Sequence, residues 1–154
     1  MTATFDYASL DAVITAMYAT ISGPPGAQDW ALSRTLFHPE ARLVRTRLGD
    51  DGKPVALSFS VDDYQANAGA ILKDVPFYEI EIARQTERFG NVASVFSAYE
   101  AFSTPDRTGF IKRGMNLIQM YHDGARWWIM HMLWDDEREG LSLPRHIFER
   151  PSNA

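Results

Sequence analysis

The stretch RGMNLIQMYHDGARWWIMHMLWDDE, residues Arg113 to Glu137, carries three tryptophans and four methionines around a central Asp-Gly. Residues 110–122 and 125–135 alternate in polarity and are rich in aromatic and branched side chains, the pattern of two β-strands. Asp123-Gly124 between them is the two-residue hairpin signal. Such a turn sets His122 opposite Ala125. Counting back, it pairs Met120 with Trp127, Ile118 with Ile129, Asn116 with His131 and Gly114 with Leu133 on one face. The other face holds Gln119 with Trp128, Leu117 with Met130, Met115 with Met132 and Arg113 with Trp134.

An antiparallel sheet with one solvated face reads apolar on one side and polar on the other. This hairpin has large apolar groups on both, so both faces are expected to be covered. Helices of the same chain can cover one. A second subunit is the simplest cover for the other, because large apolar patches mark interaction sites. The expectation is therefore a homodimer through the outer sheet face. The alternative is a monomer whose C-terminal tail lies over Trp128 or Trp134.

Upstream, residues 77–89 and 92–103 read as two more long strands joined at Gly90-Asn91. Their register aligns Glu87 with Ser94, Gln85 with Phe96, Ala83 with Ala98 and Glu81 with Glu100. If Phe102 faces Phe110, Glu100 faces Lys112. The face carrying His131 then also carries Asn116, Glu100, Glu81, Lys112 and Asp135. Polar groups on a covered face must satisfy one another or serve a ligand. A single β-bulge would turn everything beyond it to the opposite face.

The first half is helical. Leu10, Val13, Ile14, Met17, Tyr18 and Ile21 fall on one helical face behind a Ser9 cap, and Gly23-Pro-Pro-Gly26 ends the helix. A short helix from Asp29 to about Phe37 stops before Pro39. Residues 41–48 and 55–59 read as strands around the turn cluster Gly49-Asp-Asp-Gly52. Ser60, with Asp63 three residues on, resembles a capping box and opens a third helix to about Lys73. Val61, Tyr64, Ala68, Ile71 and Leu72 are its inward face. Helices first and a strand meander after them indicate an α+β class: three N-terminal helices on a mainly antiparallel sheet. The tail from Glu139, with Pro144 and Pro151, reads as irregular.

The chain has 154 residues, enough for one domain with a real core. Its formal net charge is −5 with scattered positives, which argues against nucleic acid. There are no cysteines, so disulfides, thiolate metal sites and cysteine catalysis are excluded. No two histidines show metal-binding spacing. No nucleophile elbow, dinucleotide fingerprint or phosphate loop occurs. The N-terminus has no basic region followed by an apolar run, and no apolar stretch approaches the roughly 20 residues of a membrane span. A cytoplasmic protein without membrane attachment is expected.

The order of elements, with ERFGNVASVFSAYE (Glu87 to Glu100), RGMNLIQ (Arg113 to Gln119), RWWIMHMLWDDE (Arg126 to Glu137) and DWALSRTLFHPEARL (Asp29 to Leu43), resembles the nuclear transport factor 2-like superfamily. Within it the chain is similar to the SnoaL-like group, over residues 8–148 of a domain taken as 1–154. The resemblance implies a strongly curved sheet wrapped around a helix into a cone-shaped α+β barrel, a small-molecule pocket in the cone, and dimerisation through the sheet. It covers isomerases, dehydratases, hydrolases, cyclases, dioxygenase small subunits and non-enzymatic transport factors, so the site must choose among activities.

Three groups are the catalytic candidates: His131, Glu100 and Glu81. Burial lowers a histidine pKa and a nearby carboxylate raises it again, which suits proton transfer near neutral pH. A carboxylate in an apolar cone has a raised pKa and can take a proton from carbon next to a carbonyl; Glu79 belongs to the same set of carboxylates. The plain alternatives are a buried histidine hydrogen-bonded to Asn116, a cross-strand Glu100–Lys112 ion pair and solvated glutamates. Asn116, Trp127, Ile129, Ile118 and Phe96 are the expected substrate contacts on the inner face. Tyr99 and Arg113 are expected to pair on the outer face. The functional expectation is small-apolar-ligand binding, with cofactor-independent acid–base chemistry of isomerase, dehydratase or cyclase type. A non-catalytic binding or scaffold module, like a dioxygenase small subunit, is the rival.

Overall fold

A computed structural model describes residues 4–149. Three helices precede the main run of strands: α1 (Leu10–Ile21), α2 (Trp30–Leu36) and α3 (Val61–Leu72), with β1 (Phe37–Leu48) and β2 (Pro54–Phe59) between the last two. The strands β3 (Tyr78–Phe89), β4 (Val92–Phe102), β5 (Phe110–His122) and β6 (Trp127–Asp136) follow, then a 3-10 turn at Arg145–Phe148.

Each helix starts on the cap its sequence supplies. The side chains of Ser9, Asp29 and Ser60 accept from the backbone N–H groups of Ala12, Leu32 and Asp63 at 3.1, 2.9 and 3.1 Å. The apolar stripe of α1 is buried, and Val13 and Ile14 are fully enclosed. It packs on Ile118, Met120, Trp127 and Ile129 of the sheet, and this contact is the centre of the core.

The six strands form one curved sheet in the order β2-β1-β6-β5-β4-β3, antiparallel except where β1 runs parallel to β6. α2 passes into β1 without a loop. Phe37 pairs with Ile129, pairing lapses around Pro39, which has no N–H to give, and it resumes at Arg42 opposite His131.

Three bulges decide which side chains face inward. β3 and β4 keep the expected register from Phe89–Val92 to Ala83–Ala98; a shift at Ile82 then sets Glu81 opposite Tyr99 rather than Glu100. β4 and β5 pair Phe102 with Phe110, as expected, but a shift at Ile111 sets Glu100 opposite Arg113, not Lys112, and Tyr99 opposite Gly114, not Arg113.

The Trp-rich hairpin also departs from the expected register. Its turn has four residues, not two, so His122 faces Trp127 instead of Ala125. The Asp123 carboxylate builds the wider turn. One oxygen accepts from the N–H groups of Ala125 and Arg126 at 2.8 and 2.9 Å, and the other accepts from Trp128 Nε1 at 2.8 Å. A slide of two residues keeps Trp127 and Ile129 on the inner face. The bulge at Met130 then reverses the strand, so that Gln119 faces His131, Ile118 faces Met132 and Asn116 faces Trp134. His131 therefore sits opposite the exposed Gln119 and Arg42 on the outer face. Met132 and Trp134 take the inner positions.

Among the described residues, the tail does not cover Trp128 or Trp134. Trp134 lies inside, edge-on to Tyr64 at 5.9 Å, while Trp128 stacks under the Arg126 guanidinium at 3.4 Å. Instead the tail crosses the outer face near Phe96 and Leu117, with Ile147 buried and the His146 carbonyl accepting from Gln85 Nε2 at 2.7 Å. Pro151 lies outside the described residues.

Candidate active site

Between the helices and the inner sheet face lies a cavity of about 150 Å³. A void of this size accommodates one six-membered ring. All three helices contribute to its wall: Met17 from α1, Ser33 from α2 and Tyr64 from α3. The sheet supplies the polar groups Glu79, Tyr99, Asn116, Lys112 and Arg45, with Trp134 as the apolar floor.

Glu79 is the unusual member. Burial pushes its carboxyl up to about 7 from an ordinary 4.5; Lys112 pulls it back, Asp136 adds to the rise and the Asn116 amide eases it. The cations that line the same wall are directed elsewhere. Lys112 Nζ and Arg45 both reach Asp136, at 3.5 and 3.9 Å. Asp136 also accepts the Tyr99 hydroxyl at 2.6 Å.

Burial raises the hydroxyls of Tyr18, Tyr64 and Tyr99 above their usual range, so all three stay protonated and can donate. Tyr99 lies across Gly114, where a Cβ would collide with its hydroxyl and with the Asp135 carbonyl. Glycine at this one position lets the ring reach Asp136.

Asn116 lines the cavity and is itself buried. Its Nδ2 donates to Tyr18 Oη at 3.0 Å. Tyr18 and Ser97 hydroxyls lie 2.5 Å apart, and Ser97 donates to Glu81. Ser97 has only one proton, so Tyr18 must donate to Ser97. The polar chain thus runs in one direction, from Asn116 through Tyr18 and Ser97 to Glu81. Glu81 is held in turn by Arg84 at 2.6 Å, and Arg84 also pairs with Asp11 of α1.

The candidates from sequence divide accordingly. Asn116 lines the cavity. Glu81 is tied to it through the Tyr18–Ser97 chain but is engaged by Arg84. Glu100 forms an ion pair with Arg113 at 2.8 Å, away from the cavity. His131 lies on the outer face. Trp127, Ile129 and Ile118 are enclosed in the core behind the site, and Phe96 is 44% exposed on the outside. Sequence reasoning placed Tyr99 outside and ranked Glu79 below its neighbours. The bulges at Ile82, Ile111 and Met130 account for these differences. Tyr99 facing a glycine across the ladder is the signal that could have marked the inner face. Among the described residues, no three His, Asp or Glu side chains gather as metal ligands would, and no helix is long and apolar enough to cross a membrane.

The sequence matches no protein-family model and no curated protein. Its structure does have relatives. A nuclear transport factor 2-like protein of unknown function from Silicibacter pomeroyi superposes with a TM-score of 0.58 at 15% identity, over 83% of this chain and 92% of that one. The chain has the nuclear transport factor 2-like fold. The beta subunit of a candidate aromatic-ring-hydroxylating dioxygenase from Novosphingobium aromaticivorans shares this fold with a TM-score of 0.64 at 14% identity, over 84% of this chain and 87% of that one. A candidate scytalone dehydratase from the same organism gives 0.63 at 10% identity, over 84% and 82%. At these identities the likeness establishes the nuclear transport factor 2-like fold, and the chemistry rests on the site.

Proposed function

We propose that the protein binds a small, largely apolar carbonyl compound in the cone and performs acid–base chemistry on it without a cofactor, with Glu79 as the group that moves the proton. The observation that carries this reading is the Glu79 carboxyl itself, half-buried on the wall of a ring-sized cavity and pushed up to about 7 by desolvation. Near neutral pH such a group is split between its two forms, so it can both take and return a proton. In the forward step its carboxylate takes a proton from the carbon next to the carbonyl. The C–H electron pair moves toward the carbonyl oxygen, where the second Asn116 Nδ2–H or Lys112 can stabilise the enolate. Return of the proton to another carbon is an isomerisation; its transfer from Glu79 to a β-hydroxyl, which leaves as water while the enolate pair forms the Cα–Cβ double bond and the carbonyl is restored, is a dehydration. The catalytic role expected for His131, Glu100 and Glu81 passes in this proposal to Glu79. Asn116 keeps its expected role of orienting the substrate.

The test is proton exchange. Small cyclic ketones are incubated with protein in deuterated buffer, and loss of the α-proton signal is followed by NMR. The expected result is exchange above the buffer rate that rises as Glu79 ionises, half-maximal near pH 7, and falls about a hundredfold or more in Glu79→Gln. Equal exchange in both proteins, or none above buffer, overturns the acid–base step. Binding of the same ketones without exchange points to the rival reading, a non-catalytic binding module. We also propose that a second copy covers the outer sheet face, where Phe96 and Leu117 oppose each other on β4 and β5 and remain 44% and 41% exposed.

A further inference from the structure

The charged groups at one side of the cavity do not cancel. Arg45 and Lys112 both line it, and among the described residues the carboxylate they share is Asp136 alone. Their separations from it, 3.9 and 3.5 Å, are well beyond the ~2.7–2.9 Å of a charge-assisted hydrogen bond. Asp136 has its short bond with the Tyr99 hydroxyl instead, at 2.6 Å. The contrast with the other paired arginines is plain. Arg113 holds Glu100 at 2.8 Å, and Arg84 holds Glu81 at 2.6 Å while also binding Asp11. Each of those guanidiniums has a carboxylate of the chain within hydrogen-bond distance. Among the described residues, the Arg45 side chain, 45% exposed, has only the loose contact to Asp136. Its planar fork matches a carboxylate in two parallel hydrogen bonds.

Two cations against one ionised carboxylate leave an excess of one positive charge beside an apolar wall formed by Trp134, Tyr64 and Met17. Glu79, pushed up to about 7 and so split between its two forms near neutral pH, offsets that excess only in part, and the loosely held Arg45 fork remains beside the cavity. We infer that the ligand of this cavity is a small organic monoanion, an apolar body of about one ring bearing a carboxylate, with the carboxylate seated on Arg45 and Lys112 and the ring against Trp134. This deepens the proposed function by naming the substrate class, and it rests on that reading only for the location of the ligand.

The experiment compares ring-matched probes by isothermal titration calorimetry on the full chain: benzoate, benzamide and benzylamine. Wild-type protein is expected to bind benzoate about tenfold or more tightly than benzamide, the worth of charge-assisted hydrogen bonds, and benzylamine most weakly. In Arg45→Gln the preference for benzoate over benzamide is expected to shrink toward unity while benzamide binding stays as in wild type. Arg45→Lys, which keeps the charge but loses the fork, is expected to lie between. A salt titration of the wild type serves independently of any variant: the benzoate preference should fall as sodium chloride rises, because Arg45 is partly exposed. Equal binding of benzoate and benzamide, binding of no probe, tighter binding of benzylamine, or a preference that survives in Arg45→Gln overturns the inference. Glu79→Gln separates the two proposals. Retained benzoate selectivity with ketone exchange equal to wild type leaves the anion site standing and removes the acid–base step. Loss of selectivity in Arg45→Gln has no bearing on the exchange test.

Discussion

Replacing Glu79 by glutamine should make the protein more stable at neutral pH, and the gain should itself depend on pH. The carboxyl is held at about 7 in the folded protein against an ordinary 4.5. Below the lower value it is protonated in both states, and ionisation plays no part. Between the two values the unfolded chain ionises while the folded one does not. The folded state then binds the extra proton, and stability falls as pH rises. Above the upper value both are ionised and the penalty is complete. A difference of about two and a half units corresponds to roughly 3 kcal/mol, an upper bound because water entering the cavity would soften it. Glutamine has no charge to bury. Urea unfolding followed by tryptophan fluorescence should show the variant's stability relative to wild type climbing from pH 4.5 and levelling near pH 7. Using the difference between the two proteins removes every other titrating group that they share. A difference that stays flat across this window would mean that the carboxyl is solvated or differently paired, and the proposed proton transfer would lose its basis.

Other substitutions probe the supports of the site. Gly114→Ala should cost about 1–3 kcal/mol, because the added methyl meets Tyr99 and the Asp135 carbonyl, and thermal unfolding will register it. Tyr18→Phe should cost a similar ~1–3 kcal/mol by chemical denaturation, since it removes the acceptor of Asn116 and the donor to Ser97 in a buried chain. His131→Ala, on the outer face opposite Gln119, should leave both ligand-induced melting shifts and ketone exchange at wild-type values; a loss of either would return the histidine to the site. Light scattering should give about twice the 17.4 kDa chain mass, and Phe96→Asp should reduce it to one; a wild-type monomer would refute the second copy.

What could be read without coordinates was whatever depends on neighbours in the chain. Apolar spacing marked the buried stripe of α1, and Ser9, Asp29 and Ser60 announced the helix starts. Gly90-Asn91 gave the β3–β4 register correctly for the last seven residues of β3, because one tight turn propagates by simple counting. The doubly apolar hairpin also pointed to a sheet whose inner face is covered by helices. The pattern of the elements led to the fold itself.

The identity of the site was settled by tertiary structure. Side-chain direction along a strand is a parity, and one extra residue inverts it for all that follows. The bulges at Ile82, Ile111 and Met130 are accommodations of a curved sheet to the helices beneath it, with no local signature as strong as Asp-Gly. They sent His131 outward, brought Trp134 and Tyr99 in, and gathered Glu79, Lys112, Asn116 and Arg45 from three different strands around one cavity. The Asp123 turn shows the same limit on a smaller scale. Whether Asp-Gly closes two residues or four was decided by its carboxylate finding Trp128, five positions away. The pKa of Glu79 depends on the same assembly, because the groups that bury and charge it lie on elements distant in sequence.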